Sequence, residues 1–146
     1  MKPQLSPLIL SDFAIINSNF KFVAPPDNTN ISKLVSDYHL DIDFAIIHEN
    51  DTTRVFIKTA VNQTDNELPG YSIFAEGVAV FNLSQEAVLT EKDKKSLLQY
   101  SAVSIALNSL RGFISTLTAN APLGRYTFPS IDVNDLFMQK AKKDSL

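Results

Sequence analysis

The sequence contains no cysteine and no tryptophan, and only two histidines and four glycines. The absence of cysteine excludes a disulfide framework, thiolate catalysis and cysteine metal sites, and it fits a reducing compartment. His39 and His48 lie in extended chain and turn and do not share a strand face, so we expect no catalytic pair. Gly70 and Gly77 do not form a phosphate-binding loop, and no Gly-x-Ser-x-Gly motif is present. These absences favour a binding function over an enzyme, with no metal and no cofactor.

A strong charge of one sign is also missing. The sequence has 13 Lys+Arg and 16 Asp+Glu, a net charge of -3. Such a chain has no overall positive field to attract phosphates, so we expect no nucleic-acid partner. The longest uncharged stretch, residues 96–110, is too short and too polar to span a bilayer. The first seven residues have too short an apolar stretch and too many prolines for a secretory signal. We therefore expect a cytoplasmic protein without membrane insertion.

What the sequence does contain is the composition of a globular domain. Hydrophobic residues make up 45% of the 146 residues and charged residues 20%, and ten phenylalanines supply most of the aromatic area. A chain of this length suits one domain whose core folds without disulfides or metals. We expect a single domain over residues 1–146.

The first three fifths of the chain predict four strands. Residues 8–22 alternate around a polar interruption, which predicts one long bent strand with Phe13 on one face and Phe20 on the other. Two prolines, Pro25 and Pro26, then predict a loop that extends to Asp37. The predicted strands cover residues 8–22, 40–46, 54–61 and 71–83, the second and third forming a hairpin.

Asp41 and Asp43 share one face of the second predicted strand. Carboxylates at this spacing can bind a metal, but no third ligand stands at metal spacing. Clean alternation with apolar residues is instead typical of a half-buried antiparallel strand. We therefore expect both aspartates to be solvated.

A long helix follows the strands. Thr90 is its predicted N-cap, with Glu91 and Asp93 in the first turn. Its apolar arc covers roughly 220° of a helical wheel, whereas a helix resting on one sheet needs roughly 100°. The surplus stripe predicts contact with another copy of the chain, the alternative being cover by loops and the last helix. The predicted oligomer interface comprises Leu98, Ala102, Ile105, Ala106, Ser109 and Phe113.

A short helix closes the chain. Proline and glycine at residues 122 and 124 end the long helix, and Asp132 is the predicted N-cap of a helix from Val133 to about Lys142. Leu136 and Phe137 would anchor this helix. Its three lysines indicate a solvated helix end that complements the dipole: Lys140, Lys142 and Lys143.

The last third of the sequence resembles the closing segment of the SecB export-chaperone family. In that family a long helix with an arginine, here Arg111, gives way to an apolar loop, a proline and a final helix beginning Asn/Asp-x-x-Leu-Phe/Tyr, as in residues 127–137. The run from Phe20 to Pro25 and the Ala79–Phe81 segment also match family patterns. The resemblance implies an α+β fold: a four-stranded antiparallel sheet followed by one long and one short helix.

The resemblance also implies a function. Family members are ATP-independent holdases for unfolded preproteins in export, and they assemble as dimers of dimers with the long helices between eight-stranded sheets. Clients bind apolar grooves lined by the first two strands, the crossover loop and the last helix. Core packing is the favoured alternative for Phe44. The matching client-binding residues are Phe20, Phe22, Pro25, Pro26, Phe44, Leu136 and Phe137.

The sequence departs from the exporters at the docking site for the SecA motor. Asn17 and Lys21 stand where export-type members carry acidic residues, and Glu76 is the remaining acidic candidate. We therefore expect weak or missing SecA binding. Residues 105–112 look closer to divergent SecB-like proteins, some of which serve toxin–antitoxin systems. The partner is thus either unfolded preproteins or one antitoxin.

A hot-dog-like or lipid-binding pocket protein is the alternative from another class. It would also place a long helix against a sheet, and a closed internal cavity would favour it. In hot-dog thioesterases, however, the helix precedes most of the strands. Here the helix follows all four predicted strands, so topology argues against this alternative.

Overall fold

The computed structural model describes residues 1–146. A four-stranded antiparallel sheet is followed by a long helix and a shorter closing helix, which confirms the predicted α+β class. None of the helices combines the length and the apolar character that crossing a membrane requires. The strands are β1 (Leu8–Val23), β2 (Leu40–Glu49), β3 (Thr52–Val61) and β4 (Gly70–Leu83). The helices are α1 (Ile31–Ser36), α2 (Glu91–Ser96), α3 (Ala102–Thr118) and α4 (Val133–Asp144).

The strand order in the sheet is β1-β4-β3-β2, so β1 and β2 form the two edges. The chain must therefore cross the width of the sheet between them, and residues 24–39 make this crossover. The predicted hairpin of β2 and β3 is confirmed, with Leu40 opposite Val61 and Glu49 opposite Thr52. A single sheet thus presents one face to the helices and leaves the other face open.

The core lies between α3 and the covered face of the sheet. Side chains alternate strictly along β3, where Val55, Ile57 and Val61 are fully buried and Lys58 is exposed. This period of two places every second side chain beneath the helix. Leu110 and other residues of α3 fill the opposite side of the core.

The predicted faces of the first strand are wrong. The sequence predicted Phe13 and Phe20 on opposite faces, but β1 carries a register irregularity just after Ile15. One extra residue in a strand inverts the alternation beyond it. Phe13 and Phe20 therefore both lie on the helix-covered face, opposite the buried Ala79 and Ile73.

The crossover was predicted to be a loop as far as Asp37, and this is also corrected. Residues Ile31–Ser36 form α1, whose N-cap Asn30 accepts a hydrogen bond from the Lys33 amide at 3.2 Å. Ile31, Leu34 and Val35 follow helical spacing and are half-buried. A side-chain cap and one apolar stripe are thus sufficient for a helix of six residues between the two edge strands.

The two predicted caps of the later helices are confirmed. Thr90 accepts a hydrogen bond from the Asp93 amide at 3.1 Å, and Asp132 accepts one from the Asp135 amide at 3.2 Å. A π-helical segment, Leu97–Ser101, joins α2 to α3. The π geometry breaks the 3.6-residue period, so side chains before and after this segment do not follow one helical wheel.

Candidate functional site

The predicted client-binding residues lie in two clusters rather than in one groove. β1 and β2 are separated by three strand spacings, which corresponds to about 14 Å. The crossover begins within the first cluster and ends at the start of β2. The first cluster contains Phe20, Phe22, Pro25 and Pro26 at the end of β1; the second contains Phe44, Leu136 and Phe137 where α4 meets β2.

The first cluster packs around Tyr71 of β4. The ring centroids of Phe20 and Phe22 lie 5.4 and 6.0 Å from that of Tyr71, distances that aromatic pairs favour. Phe20 is 36% exposed and Phe22 is half-buried. Pro25 is half-buried and Pro26 is exposed. The cluster thus exposes aromatic surface to solvent. The loop beside it lacks two backbone N–H donors, because Pro25 and Pro26 have none.

A pair of tyrosine hydroxyls holds the loops around the first cluster. The Tyr38 hydroxyl donates to the Pro69 carbonyl at 3.0 Å and accepts from the Tyr71 amide at 2.9 Å. The Tyr71 hydroxyl donates to the Gly124 carbonyl at 2.7 Å and accepts from the Leu123 amide at 2.8 Å. Burial raises the pKa of both phenols, so they stay neutral and can donate at neutral pH. The network connects the crossover, the loop before β4 and the segment after α3.

The second cluster is an aromatic row along the seam between α4 and β2. The Phe137 ring lies between Phe44, with centroids 4.8 Å apart, and Tyr100, at 4.6 Å. Phe44 is 6% exposed and belongs to the core, the alternative that its clean alternation favoured. Leu136 and Phe137 are half-buried. A pocket of about 270 Å³ beside Leu136 opens between α4 and Ile42.

Sequence reasoning missed the charged contact of this seam. Asp43 was expected to be solvated and Lys140 to belong to a solvated helix end, but their carboxylate and ammonium lie 2.8 Å apart. Lys143 adds a second contact to Asp43 at 3.4 Å. Burial alone would raise the pKa of Asp43, but hydrogen bonds from Lys140 and the Phe44 amide, with the charge of Lys140, hold it below its ordinary value. No local pattern relates residues 97 positions apart, so no sequence signal could have found the pair.

The structure divides the predicted oligomer interface. Ala102 and Ala106 are fully buried within the core of the single chain, so the prediction is wrong for these two residues. Their burial leaves no side-chain surface for another copy to contact. The remaining interface residues are half-exposed: Leu98, Ile105, Ser109 and Phe113.

Glu76 lies on the open face of the sheet, where it is half-buried. Its direct neighbours across the strands are Lys58 on β3 and Asn17 on β1, so the carboxylate stands between a cation and an amide. Lys21 is paired, because its ammonium contacts the Glu67 carboxylate at 2.9 Å. The open face therefore carries charges of both signs rather than an acidic surface.

Arg111 connects α3 to the closing segment. One guanidinium nitrogen donates to the Pro129 carbonyl at 2.9 Å and another to the Asn108 side chain at 2.9 Å. Its Nε–H is buried without a partner. Arg111 thus forms no salt bridge. Its hydrogen bond to Pro129 instead holds the segment before α4 against α3.

A pocket of about 500 Å³ lies at the opposite end of the sheet between the β2–β3 turn and α2. It opens to solvent, and polar side chains such as His48 and Lys94 line most of it. His48 contacts the Thr53 hydroxyl at 2.9 Å and lies far along β2 from His39. No group of three metal-ligating side chains is present. An open polar pocket does not suit the lipid-binding alternative, which needs an enclosed apolar cavity.

Comparison with known proteins identifies the fold. No protein-family model matches this sequence, and no curated protein matches it by sequence. The solved structure of the SecB-like chaperone Rv1957 of Mycobacterium tuberculosis, in complex with a ChAD peptide from the Rv1956 HigA1 antitoxin, superposes with a TM-score of 0.59 at 15% identity, covering 86% of this chain and 91% of that chain. A protein of unknown function from Streptococcus agalactiae matches with a TM-score of 0.45 at 8% identity, covering 84% and 97%. The chain therefore has the SecB-like fold.

Proposed function

We propose that this protein is an ATP-independent holdase that binds unfolded polypeptides through the two apolar clusters. The observation that carries the proposal is the SecB-like fold together with aromatic side chains that remain accessible in both clusters. Accessible aromatic surface on a folded domain is typical of binding sites, because burying it against a partner is favourable. The proposal involves no covalent chemistry and no nucleotide.

The test is suppression of aggregation of a reduced, unfolded client without nucleotide. We expect stoichiometric protein to prevent client turbidity, and Phe20→Ser to weaken the protection because it removes aromatic surface from the first cluster. Phe56→Ser is the matched control, since Phe56 is a half-exposed phenylalanine on the open face of the same sheet. Unchanged client turbidity with the wild-type protein would contradict the holdase function. Equal effects of both substitutions would show that the clusters do not bind the client.

The client is either a range of preproteins or one antitoxin. The Mycobacterium tuberculosis protein was solved with an antitoxin peptide, which supports a dedicated antitoxin chaperone as the second candidate. The mixed charges of the open face support the same candidate, because SecA docking in the exporters uses acidic residues. Pull-down of clients from cells separates the two functions: many preproteins would support export, and one antitoxin would support the dedicated role.

We further propose that SecA binding is weak or missing. Exposed ion pairs contribute only about 0.2 to 1 kcal/mol each, so the loss of acidic residues gives a graded effect. Asn17→Asp should strengthen binding, and adding Lys21→Glu should strengthen it less than an isolated charge reversal, because that change also disrupts the contact with Glu67. Calorimetry that shows tight, salt-sensitive SecA binding by the unmodified protein would overturn this proposal.

We also propose that the half-exposed stripe of α3 mediates an oligomer, a dimer of dimers as the resemblance implies. Ile105→Glu should dissociate it, because an unpaired carboxylate in an apolar interface costs several kcal/mol. Ala106→Glu is unsuitable for this test, since Ala106 is core. Light scattering that shows only a 16.2 kDa monomer for the wild type would contradict the assembly.

A further inference from the structure

The open face of the sheet carries an apolar patch that crosses all four strands. Ala45 of β2 pairs with Phe56 of β3, which in turn pairs with Val78 of β4. Val78 pairs with Ala14 of β1. Solvated sheet faces normally carry polar side chains, and soluble proteins rarely leave a contiguous apolar surface in water unless it is a contact surface. The side chains of this patch are all exposed or half-exposed: Ala14, Ala45, Ile47, Phe56, Val78 and Val80.

A row of alternating charges borders the apolar patch. Asp43, Lys58 and Glu76 pair across β2, β3 and β4, so negative, positive and negative charges follow one another at the strand spacing of about 4.8 Å. Asp43 contacts Lys140 of α4. Lys58 and Glu76 form no ion pair within the chain, although they are direct neighbours across the strands. Their two charges are therefore available to a partner.

A second copy of the chain supplies the complementary pattern. When a copy is rotated by 180° about an axis that runs along the strands between β3 and β4, each β3 residue faces the β4 residue with which it pairs in its own sheet. Lys58 of one copy then faces Glu76 of the other, and Glu76 faces Lys58. Phe56 faces Val78 in the same reciprocal way. Two sheets commonly pack face to face in such an aligned arrangement, about 10 Å apart.

We propose that the open face of the sheet binds the open face of a second copy, through the apolar patch and two reciprocal ion pairs between Lys58 and Glu76. The occupant is a second copy rather than an unfolded polypeptide, because the same face, once rotated, matches both its charge pattern and its apolar row. The contact goes beyond the holdase function. It also differs from the α3 stripe, since α3 lies on the covered side of the sheet and both contacts can form in one assembly.

The experiment mixes two charge-reversal variants and measures the mass of the assemblies by sedimentation. Lys58→Glu leaves two negative charges at the paired positions and Glu76→Lys leaves two positive charges, so each variant repels its own copies. We expect each variant alone to raise the dissociation constant of the contact by about tenfold or more, because two surface ion pairs change from attraction to repulsion. An equal mixture of the two variants should regain the wild-type mass, because their faces attract each other.

The matched controls are Lys33→Glu and Glu86→Lys. They make the same charge changes at exposed positions outside the sheet. Alone or mixed, they should keep the wild-type mass. Val78→Ser tests the apolar patch without a change of charge, and it should also lower the mass while circular dichroism shows an intact sheet.

Three results would overturn the face-to-face contact. The first is a wild-type mass of 16.2 kDa at all concentrations, and the second is a wild-type mass that both charge reversals keep or that their mixture fails to regain. The third is weaker binding of reduced, carboxymethylated lactalbumin by Lys58→Glu at an unchanged mass, which would assign this face to unfolded polypeptide. Suppression of aggregation by the wild type is measured separately, so the holdase function can stand or fail independently of this contact.

Discussion

The two principal helices pack against one sheet, but they are held there in different ways. α3 lies over the central strands β3 and β4. α4 lies along the edge strand β2, where Phe137 contacts Phe44 on the helix-covered face and Lys140 contacts Asp43 on the open face. A central strand has neighbours on both sides, so a helix above it is enclosed, whereas a helix above an edge strand has solvent along one flank. α4 has no buried residue. α3 buries Ala102, Val103, Ala106, Leu107, Leu110, Ile114 and Thr118.

This difference determines which contacts hold each helix. Burying one Leu or Ile side chain contributes about 1.5 to 3 kcal/mol, so α3 is attached by several large contributions. α4 depends on the Phe137 ring, where an aromatic pair adds about 0.5 to 1.5 kcal/mol, and on partly exposed ion pairs worth about 1 kcal/mol or less. We therefore expect α3 to contribute more to the stability of the fold than α4.

The largest expected effect comes from truncating one leucine in each helix. Leu110→Ala should lower the free energy of unfolding by about 2 to 5 kcal/mol, because Leu110 is fully buried and leaves a cavity. Leu136→Ala should lower it by about 1 kcal/mol or less, because half-buried Leu136 lies beside pockets open to solvent. Urea unfolding measures both values. Equal losses would show that α4 is as much a part of the core as α3, and the comparison would fail.

A smaller effect is expected from the tyrosine network that closes the central region. Tyr38→Phe removes the acceptor of the buried Tyr71 amide, and an unsatisfied buried group costs about 1 to 3 kcal/mol. Tyr100→Phe is the matched control at the edge, since Tyr100 is 42% exposed and its hydroxyl makes no hydrogen bond. Thermal unfolding should show a clear decrease for Tyr38→Phe alone. Equal unfolding temperatures of the two variants would show that the tyrosine network does not stabilise the central region.

The smallest expected effect is the response of α4 to acid. The groups facing the Asp43 carboxylate are Lys140 and Lys143 of α4 and Lys58, directly across on β3. Because the folded-state pKa of Asp43 is lowered, its contribution is fully present above its ordinary value of 3.8 and is lost as the pH falls through the lowered value.

Hydrogen exchange corrected for intrinsic pH dependence should therefore show α4 losing protection below about pH 4, while α3 stays protected. The Asp43→Asn variant should lack this acid response, because it has no carboxylate to protonate at that position. An identical acid response in the variant would assign the loss to other carboxylates and would separate Asp43 from the attachment of α4.

Several features could be predicted from the sequence because their causes are local. Alternation over four to eight residues predicted the β2–β3 hairpin, and side-chain caps predicted the starts of the helices at Thr90 and Asp132. Each depends on residues a few positions apart, whose geometry follows from the strand or helix period alone. The fold class was implied by the family resemblance, and the order of these elements, with all four strands before the long helix, agrees with it.

The errors share a different cause. One irregular residue after Ile15 places the later side chains of β1 on the faces opposite to those predicted. The irregularity is defined by the pairing of β1 with β4, which is far along the chain. The wheel of α3 showed a surplus apolar arc without indicating which part faced the sheet, and Ala106 proved to be core.

The candidate site shows the same division between sequence and tertiary structure. Phe44, Leu136 and Phe137 could be named from local pattern and family resemblance, because apolar side chains at strand and helix spacing identify themselves in sequence. The ion pair of Asp43 and Lys140 could not, because each residue alone has the pattern of a solvated charge. Their partnership was decided by the strand order, which places β2 at the edge and leaves room beside it for α4. Whether a charge is solvated or holds two elements together depends on what the rest of the chain brings within about 4 Å of it, and that distance is a property of the folded chain alone.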